Sequence, residues 1–122
     1  MIHLVFCLRR LPNLSRAEFQ RYWRDRHAPL VKAYAAALHI KRYVQAHTIE
    51  HPVAQAAAQA RGASAPFDGV AELWFDSEEL TAAVQTPAAQ EAMVRLLEDE
   101  ARFIDLKNSP VFFTEDTMVI GH

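Results

Sequence analysis

The segment IHLVFCLR (residues 2–9) decides how the fold begins. It is short, rich in residues that favour strands, and followed by Arg10 and Pro12, so it predicts a β-strand. Alternate side chains of a strand point to opposite faces, and here one set is uniformly apolar while the other is mixed. The apolar set, which should pack against helices, consists of Ile2, Leu4, Phe6 and Leu8.

The residues that follow predict a helix with a defined start. Ser15 is a candidate N-cap, and Glu18 stands where it would complete a capping box. Beyond them, large side chains recur at helical spacing, which places them on one face. These residues are Phe19, Trp23, His27 and Leu30.

Pro29 interrupts this helical pattern. It lacks an amide donor, and its ring crowds the carbonyl group of Asp25. We therefore expect a kink or break near Ala28, with unpaired carbonyl groups beside His27. The helix should then resume and run to about Leu38.

The rest of the chain predicts three more strands and two more helices around an insertion. The strands are expected over residues 40–49, Asp68–Phe75 and Val111–Ile120. One helix should follow the cap Asp76, with Glu79 as its box partner, and another should start at Thr86-Pro87 and run to about Arg102. The alanine-rich segment 51–66 predicts a surface insertion with a short helix from Pro52 to about Ala60. The order β-α-β-β-α-β is typical of the ferredoxin-like α+β fold, a four-stranded antiparallel sheet with helices on one face.

Composition excludes several classes of protein. The chain has 122 residues, which suits a single domain over 1–122, and its net charge of −2 argues against nucleic acid or a membrane as a partner. One cysteine rules out an internal disulfide and a cysteine-based zinc cage, and three scattered glycines rule out nucleotide-binding loops. There is no long apolar run and no signal-peptide pattern. We expect a cytoplasmic protein without a cofactor.

The face of the sheet away from the helices is expected to be apolar. Exposed to water, this face would be a larger apolar patch than monomers usually tolerate. We therefore predict a homodimer in which two sheets pack face to face and form a barrel. The residues expected on this face are Val5, Tyr43, Val70, Trp74 and Phe113.

Several motifs in this order resemble the EthD family, named for a protein of ethyl tert-butyl ether degradation. They are Leu8-Arg9-Arg10, Leu14–Phe19 with Tyr22-Trp23, His27-Ala28-Pro29-Leu30, Arg42–His47, Asp68–Phe75, Phe103-Ile104-Asp105 and the strand after Pro110. The resemblance implies a dimeric α+β barrel from a degradative gene cluster, often labelled an oxidoreductase. Relatives on this fold include a methylmuconolactone methylisomerase, polyketide cyclases, cofactor-free monooxygenases and haem enzymes, so the fold does not select a reaction.

Four side chains form the candidate catalytic group: His27, Tyr43, His47 and Glu72. If the relevant faces of the middle strands coincide, an imidazole, a phenol and a carboxylate enter one aromatic-lined pocket, which suits proton transfer beside a carbonyl. The resemblance implies that His27 and Tyr43 match acid–base residues of the methylisomerase, whose further histidine corresponds to His47 or His51. The residues expected to bind substrate are Val5, Val70, Trp74 and Phe113.

The expected ligand is a small hydrophobic carbonyl, lactone or quinone-like molecule, and the expected chemistry is that of a cofactor-independent isomerase or cyclase. Two other functions remain open: a non-catalytic binding or accessory module of an oxygenase system, and a cofactor-free oxidoreductase. No metal site is expected, because His47 and His51 on a strand would stand about 13 Å apart.

Structural interpretations of the same residues also remain open. In one of them His27 donates to a carbonyl freed by Pro29, and in another Tyr43 and Trp74 pack in the dimer interface. The structural alternative for Glu72 is an ion pair with Arg9 or Lys41. Three other histidines are interpreted as surface residues: His3, His39 and His122.

Overall fold

In the computed structural model, which describes residues 1–121, four strands and five α-helices follow one another in the predicted order. The strands are β1 (Ile2–Leu8), β2 (Arg42–His47), β3 (Gly69–Phe75) and β4 (Val111–Thr114). The helices are α1 (Arg16–Tyr22), α2 (Ala28–Tyr34), α3 (Pro52–Arg61), α4 (Ser77–Ala83) and α5 (Pro87–Glu100), with a π-helical turn at Trp23–His27 and a 3-10 turn at Leu106–Asn108. None of the helices described is long and apolar enough to cross a membrane.

The sheet is antiparallel throughout, with the strand order β2-β3-β1-β4. The two inner strands, β1 and β3, pair over the whole length of both. This is the ferredoxin-like arrangement that the order of elements predicted. The apolar face of β1 meets the helices as expected, and the main core cluster consists of Leu8, Phe19, Trp23, Ala71, Phe103 and Ile104.

The break predicted at Ala28 is a single π-helical turn within an otherwise continuous helix. Pro29 occupies the first turn of α2, and the Ala28 N–H donates to the carbonyl of Trp23, five residues back. The wider turn accommodates the missing donor of proline, and it leaves both Trp23 and His27 buried against the sheet.

Helix starts follow the predicted caps closely. Ser15 and Glu18 form the capping box, and the Thr86 hydroxyl accepts from the N–H of Ala89. Asp76 also caps its helix, but it accepts from the N–H of Glu78 and forms no box with Glu79. The Glu79 carboxylate instead lies 3.3 Å from the ammonium group of Lys41.

Two predicted strands are shorter than expected. β4 ends at Thr114 instead of Ile120, because Thr114 pairs with His3 and the antiparallel partner β1 has only one more residue. β2 covers 42–47 within the predicted 40–49. The insertion forms α3 without a buried residue, capped by His51 and ended by Gly62 in the left-handed conformation (φ 58°).

A buried carboxylate fixes the start of β3. Asp68 accepts hydrogen bonds from the backbone and guanidinium of Arg10 and from the guanidinium of Arg16. Burial alone would raise the pKa of Asp68, but the hydrogen bonds from Arg10 and Arg16 outweigh it and hold the pKa below its ordinary value. The next residue, Gly69, lies against Trp23, where a Cβ atom would come within 2.5 Å of the indole ring.

Candidate active site

A cavity of about 270 Å³ lies between the sheet and the helices. This volume is slightly below the range of about 300–1,000 Å³ typical of sites for drug-sized ligands, so the cavity suits a smaller molecule. Half-exposed Met93 and Phe113 line it, which places an opening to solvent beside β4 and α5. The lining is otherwise almost entirely apolar, and four of the lining side chains carry N or O atoms: Trp23, His27, Tyr43 and Glu100.

His27 is oriented by a carboxylate that sequence reasoning missed. Its Nδ1 lies 2.7 Å from Oδ2 of Asp99, whose other oxygen accepts from the Tyr22 hydroxyl at 2.7 Å. Because a carboxylate accepts, Nδ1 carries the proton and Nε2 of the neutral ring keeps its lone pair. Burial lowers the pKa of His27. The hydrogen bond and the charge of Asp99 oppose this only in part, so the His27 ring is neutral at pH 7. The alternative that His27 serves a freed carbonyl is therefore wrong.

Tyr43 is oriented by the Gln45 side chain. The Gln45 amide nitrogen donates to the carbonyl of Trp23 at 3.0 Å and to the Tyr43 hydroxyl at 2.9 Å. The Trp23 carbonyl can only accept, which fixes the orientation of the amide and makes the Tyr43 oxygen an acceptor on that side. The Tyr43 proton is therefore free to be donated into the cavity. Burial raises the pKa of Tyr43 and outweighs the hydrogen bonds from Gln45 and Trp23, which lower it, so the phenol keeps this proton.

His47 does not line the cavity but joins the same hydrogen-bond chain. Its Nε2 lies 2.9 Å from the Gln45 amide oxygen, so this nitrogen carries the proton. The ring packs on Trp23 with centroids 4.5 Å apart, and its buried Nδ1 has no hydrogen-bond partner among residues 1–121. Burial, followed by the charge of Arg24, lowers the pKa of His47. His47 can therefore position Gln45 and, through it, Tyr43.

Glu100 is the acidic group of the cavity. Burial raises its pKa to about 7, and the neighbouring Asp99 carboxylate contributes to the rise. Near neutral pH, a large share of the Glu100 side chain is thus a protonated acid. A sequence signal for it exists, because Ala92, Leu96 and Glu100 follow at four-residue spacing along the buried stripe of α5.

Glu72 lies on the other face of the sheet. In the strand register Tyr43 pairs with Leu73, whereas Glu72 pairs with Val44 and Val5. Directly paired residues share a face, so the prediction that Tyr43 and Glu72 meet in one pocket is wrong. Alternation sorts the residues of each strand into two sets, but it does not say which set of β2 matches which set of β3.

The partner of Glu72 is His3, not Arg9 or Lys41. His3 Nε2 lies 3.3 Å from the Glu72 carboxylate, and its Nδ1 lies 3.0 Å from Asp116. The His3 ring stacks on Trp74 at 4.1 Å, so His3 is buried and its prediction as a surface residue is wrong. His39 is exposed as predicted, and His122 lies outside the described residues.

We call the sheet surface away from the helices the open face. Of the predicted substrate-binding residues, Val5, Val70 and Trp74 lie on it, whereas Phe113 pairs with Leu4 and lines the cavity. The prediction that Tyr43 and Phe113 belong to the open face is wrong, because they pair with Leu73 and Leu4 on the side of the sheet that faces the helices. The residues that form the open face are His3, Val5, Cys7, Arg42, Val44, Ala46, Val70, Glu72, Trp74, Phe112 and Thr114.

Comparison with protein families identifies the family of this chain. The profile of the EthD domain matches residues 11–107. The chain belongs to the EthD domain family. No curated protein matches it. Within residues 1–121, no group of three or more His, Cys, Asp or Glu side chains is arranged to hold a metal ion.

Solved structures show the same fold at low sequence identity. The EthD family protein of Bacillus halodurans is similar with a TM-score of 0.61 and 18% identity, covering 96% of this chain and 99% of its own. A dimeric ferredoxin-like protein of Thermobifida fusca has a TM-score of 0.55 and 13% identity, covering 93% and 88%. SnoaB, a cofactor-independent oxygenase from Streptomyces nogalater, has a TM-score of 0.51 and 14% identity, covering 99% and 97%. The fold is thus that of dimeric α+β barrel proteins.

Proposed function

We propose that this EthD protein binds a small hydrophobic carbonyl compound, such as a ketone, lactone or quinone-like molecule, and transfers protons on it without a cofactor. The observation that carries the proposal is the pairing of a neutral imidazole and a protonated carboxylic acid, His27 and Glu100, on one apolar cavity. Pairs of titratable groups with divergent pKa values are typical of acid–base sites.

The roles follow from the direction of each hydrogen bond. Nε2 of His27 removes a proton from the carbon beside the carbonyl, and the electron pair of that C–H bond moves to the carbonyl oxygen. Tyr43 donates to the developing oxyanion. Glu100 or the protonated His27 then returns a proton to a different carbon of the conjugated enolate, which completes an isomerisation. In a cyclisation the enolate carbon instead attacks a second carbonyl carbon of the same molecule, the π electrons of that C=O bond move to its oxygen, and the same acids protonate the resulting alkoxide. In this scheme Glu100 takes the place that sequence reasoning gave to Glu72.

Exchange of α-protons in D2O tests this function without knowledge of the natural substrate. The probe is 2-acetylnaphthalene, a neutral methyl ketone, and NMR follows deuterium entry into its methyl group. We expect the wild-type protein to accelerate exchange and His27→Gln to lose about a hundredfold or more of the rate. Exchange at the same rate in wild type and His27→Gln would contradict the proposal.

A second candidate, oxidation by molecular oxygen, is favoured by the likeness to SnoaB, which is a cofactor-independent oxygenase. An enolate formed by His27 would be the electron-rich species that reacts with oxygen. Oxygen consumption with the same ketone would support this candidate, as would loss of ketone turnover under anaerobic conditions. Deuterium exchange that persists without oxygen supports the acid–base function by itself.

We also propose that a second copy of the chain covers the open face and forms a homodimer. Val5, Val70 and Trp74 give this face an apolar centre, and the relative from Thermobifida fusca is dimeric. Sedimentation should give twice the mass of the chain, and Val5→Lys should shift the protein toward the monomer. A wild-type mass of one chain at all concentrations would contradict the dimer.

A further inference from the structure

We infer that this cavity selects uncharged ligands with an acceptor oxygen and excludes carboxylates, and that Glu100 is a residue that determines this selectivity. The inference rests on the proposed function, since it names the substrate class of the same site. It concerns binding by the resting protein, so it can be tested separately from proton transfer.

The cavity offers no compensation for a negative charge. Among the described residues that line it there is no lysine or arginine. The Arg102 guanidinium lies 3.9 Å from Asp99, but its side chain is 70% exposed and belongs to the outer surface. A carboxylate ligand would lose its hydration in this apolar space and gain no cation in return.

The charges already present at the polar end are acidic. Glu100 lines the cavity directly, and Asp99 stands behind His27, where it accepts from the imidazole and from Tyr22. A ligand carboxylate would therefore be the third acidic group in this region. Like charges placed together in a site of low polarity disfavour the ionised form of each.

The hydrogen-bond donors of the cavity suit a neutral oxygen. Tyr43 lines the cavity, and because Gln45 donates to its oxygen, the proton of Tyr43 itself is left for another acceptor. The protonated form of Glu100 offers a second donor. Two donors suit an acceptor such as a carbonyl oxygen. An ammonium group has only donors, so it could not accept the proton of Tyr43.

The same argument predicts how pH affects binding. Around neutral pH, Glu100 is the cavity group that changes charge, because its pKa is about 7. The pKa values of the titratable groups around it are shifted away from 7: burial raises the pKa of Tyr43 and of Tyr22, and burial lowers the pKa of His27. The charged neighbours are Asp99 on the same helix turn, which accepts from His27, and Arg102 beside Asp99. A neutral carbonyl should thus bind more tightly below pH 7, where Glu100 donates, than above it, where the Glu100 carboxylate repels the oxygen.

Isothermal titration calorimetry with three probes of similar size tests the inference. The probes are 2-acetylnaphthalene, 2-naphthoate and 2-naphthylmethylammonium, which differ mainly in charge. Each is titrated into the wild-type protein at about pH 6 and about pH 8.5, on either side of the Glu100 transition. We expect the ketone to bind at least about tenfold more tightly than the carboxylate at both pH values.

Variants on the same helix separate Glu100 from general effects of pH. Glu100→Gln removes the titrating group but keeps a donor, whereas Glu98→Gln is a matched control at an exposed position of α5. Ketone affinity should fall several-fold between the lower and the higher pH in wild type and Glu98→Gln, and stay constant in Glu100→Gln. If Glu100→Gln failed to fold, the pH series of the wild type with the three probes would still decide the inference.

Three results would overturn the inference: binding as tight as that of the ketone, by 2-naphthoate at either pH or by the amine at about pH 6, where Glu100 is protonated; binding of no probe; or an unchanged pH dependence in Glu100→Gln. Failure of the proposed function looks different. In that case the ketone binds with the expected selectivity, but its methyl protons exchange no faster than in buffer.

Discussion

At the scale of single residues, the site depends on side chains that never touch the cavity. Asp99 determines which nitrogen of His27 bears the proton, and Gln45 donates to the Tyr43 oxygen, which leaves the Tyr43 proton for another acceptor. Such orienting contacts fix the protonation pattern that acid–base chemistry needs. Asp99 is itself held in place: the hydroxyl of Tyr22, on α1, donates to its other carboxylate oxygen.

Asp99→Asn is expected to inactivate the base while leaving the fold intact. The amide can donate to Nδ1 of His27, which favours the tautomer with the proton on Nε2 and removes the lone pair from the cavity. We expect α-proton exchange to fall by about a hundredfold. Nitrogen NMR of His27 should report the change of tautomer, and Asp25→Asn, at an exposed position, is the control. An unchanged tautomer together with an unchanged exchange rate would contradict the role of Asp99.

Residue-level predictions succeeded where the interaction joins residues that are close in the sequence. Ser15, Glu18 and Thr86 cap helices as expected, because a cap depends on residues a few positions apart. His27 and Tyr43 both line the cavity, although Tyr43 was expected on the open face. Asp99 and Glu100 were missed because neither carries a motif, and their importance arises from a helix that packs against His27 only in three dimensions.

At the scale of elements, the contact between the π-helical turn and the start of β3 is especially tight. Trp23 is 1% exposed and its ring fills the space where a side chain at position 69 would begin. Gly69 keeps ordinary backbone geometry, so the requirement for glycine here is one of space alone. This contact sets the depth at which Trp23 and, one turn later, His27 lie over the sheet.

Gly69→Ala should therefore destabilise the protein through overpacking. We expect a loss of about 1–3 kcal/mol in the free energy of unfolding, measured by urea denaturation. Trp23→Phe removes the outer ring atoms that meet the new Cβ, so the double variant should be more stable than the sum of the single effects predicts. Strict additivity of the two changes would contradict this steric explanation.

Element order was predictable, but strand register was not. Alternation correctly grouped Tyr43 with His47 and Glu72 with Trp74, yet the two groups lie on opposite faces of the sheet. The polar set of β2 turns toward the helices because Gln45 and His47 find partners there, in the Trp23 carbonyl and the Trp23 ring. Neither partner is visible from the pattern of β2 itself. The length of β4 was overestimated because its partner, β1, has no residues left to pair beyond Ile2.

At the scale of the whole molecule, two buried acids couple stability to pH with opposite signs. Asp68 has a lowered pKa, so its contribution to stability is present near neutral pH and is lost as pH falls through its folded pKa. Glu100 has a raised pKa, so the folded state binds its proton more strongly than the unfolded chain does. Stability should consequently fall as pH rises from about 4.5 to about 7.

Glu100→Gln should therefore stabilise the protein selectively at higher pH. At about pH 8 we expect it to exceed the wild type by about 2–3 kcal/mol in the free energy of unfolding, because the buried negative charge is removed. At about pH 5, where Glu100 is protonated, the two proteins should be nearly equal. Urea denaturation at both pH values checks this, and an equal gain at each would show that Glu100 is not the group that titrates.

The pH profile of α-proton exchange brings the two reacting groups together in one measurement. If neutral His27 and protonated Glu100 act in the same cavity, the rate of deuterium entry into 2-acetylnaphthalene should pass through a maximum just below the Glu100 pKa of about 7. In Glu100→Gln the decline on the basic side should disappear while the acidic limb, due to His27, remains. A profile with no maximum, or a basic limb that survives in Glu100→Gln, would contradict the assignment of these two residues.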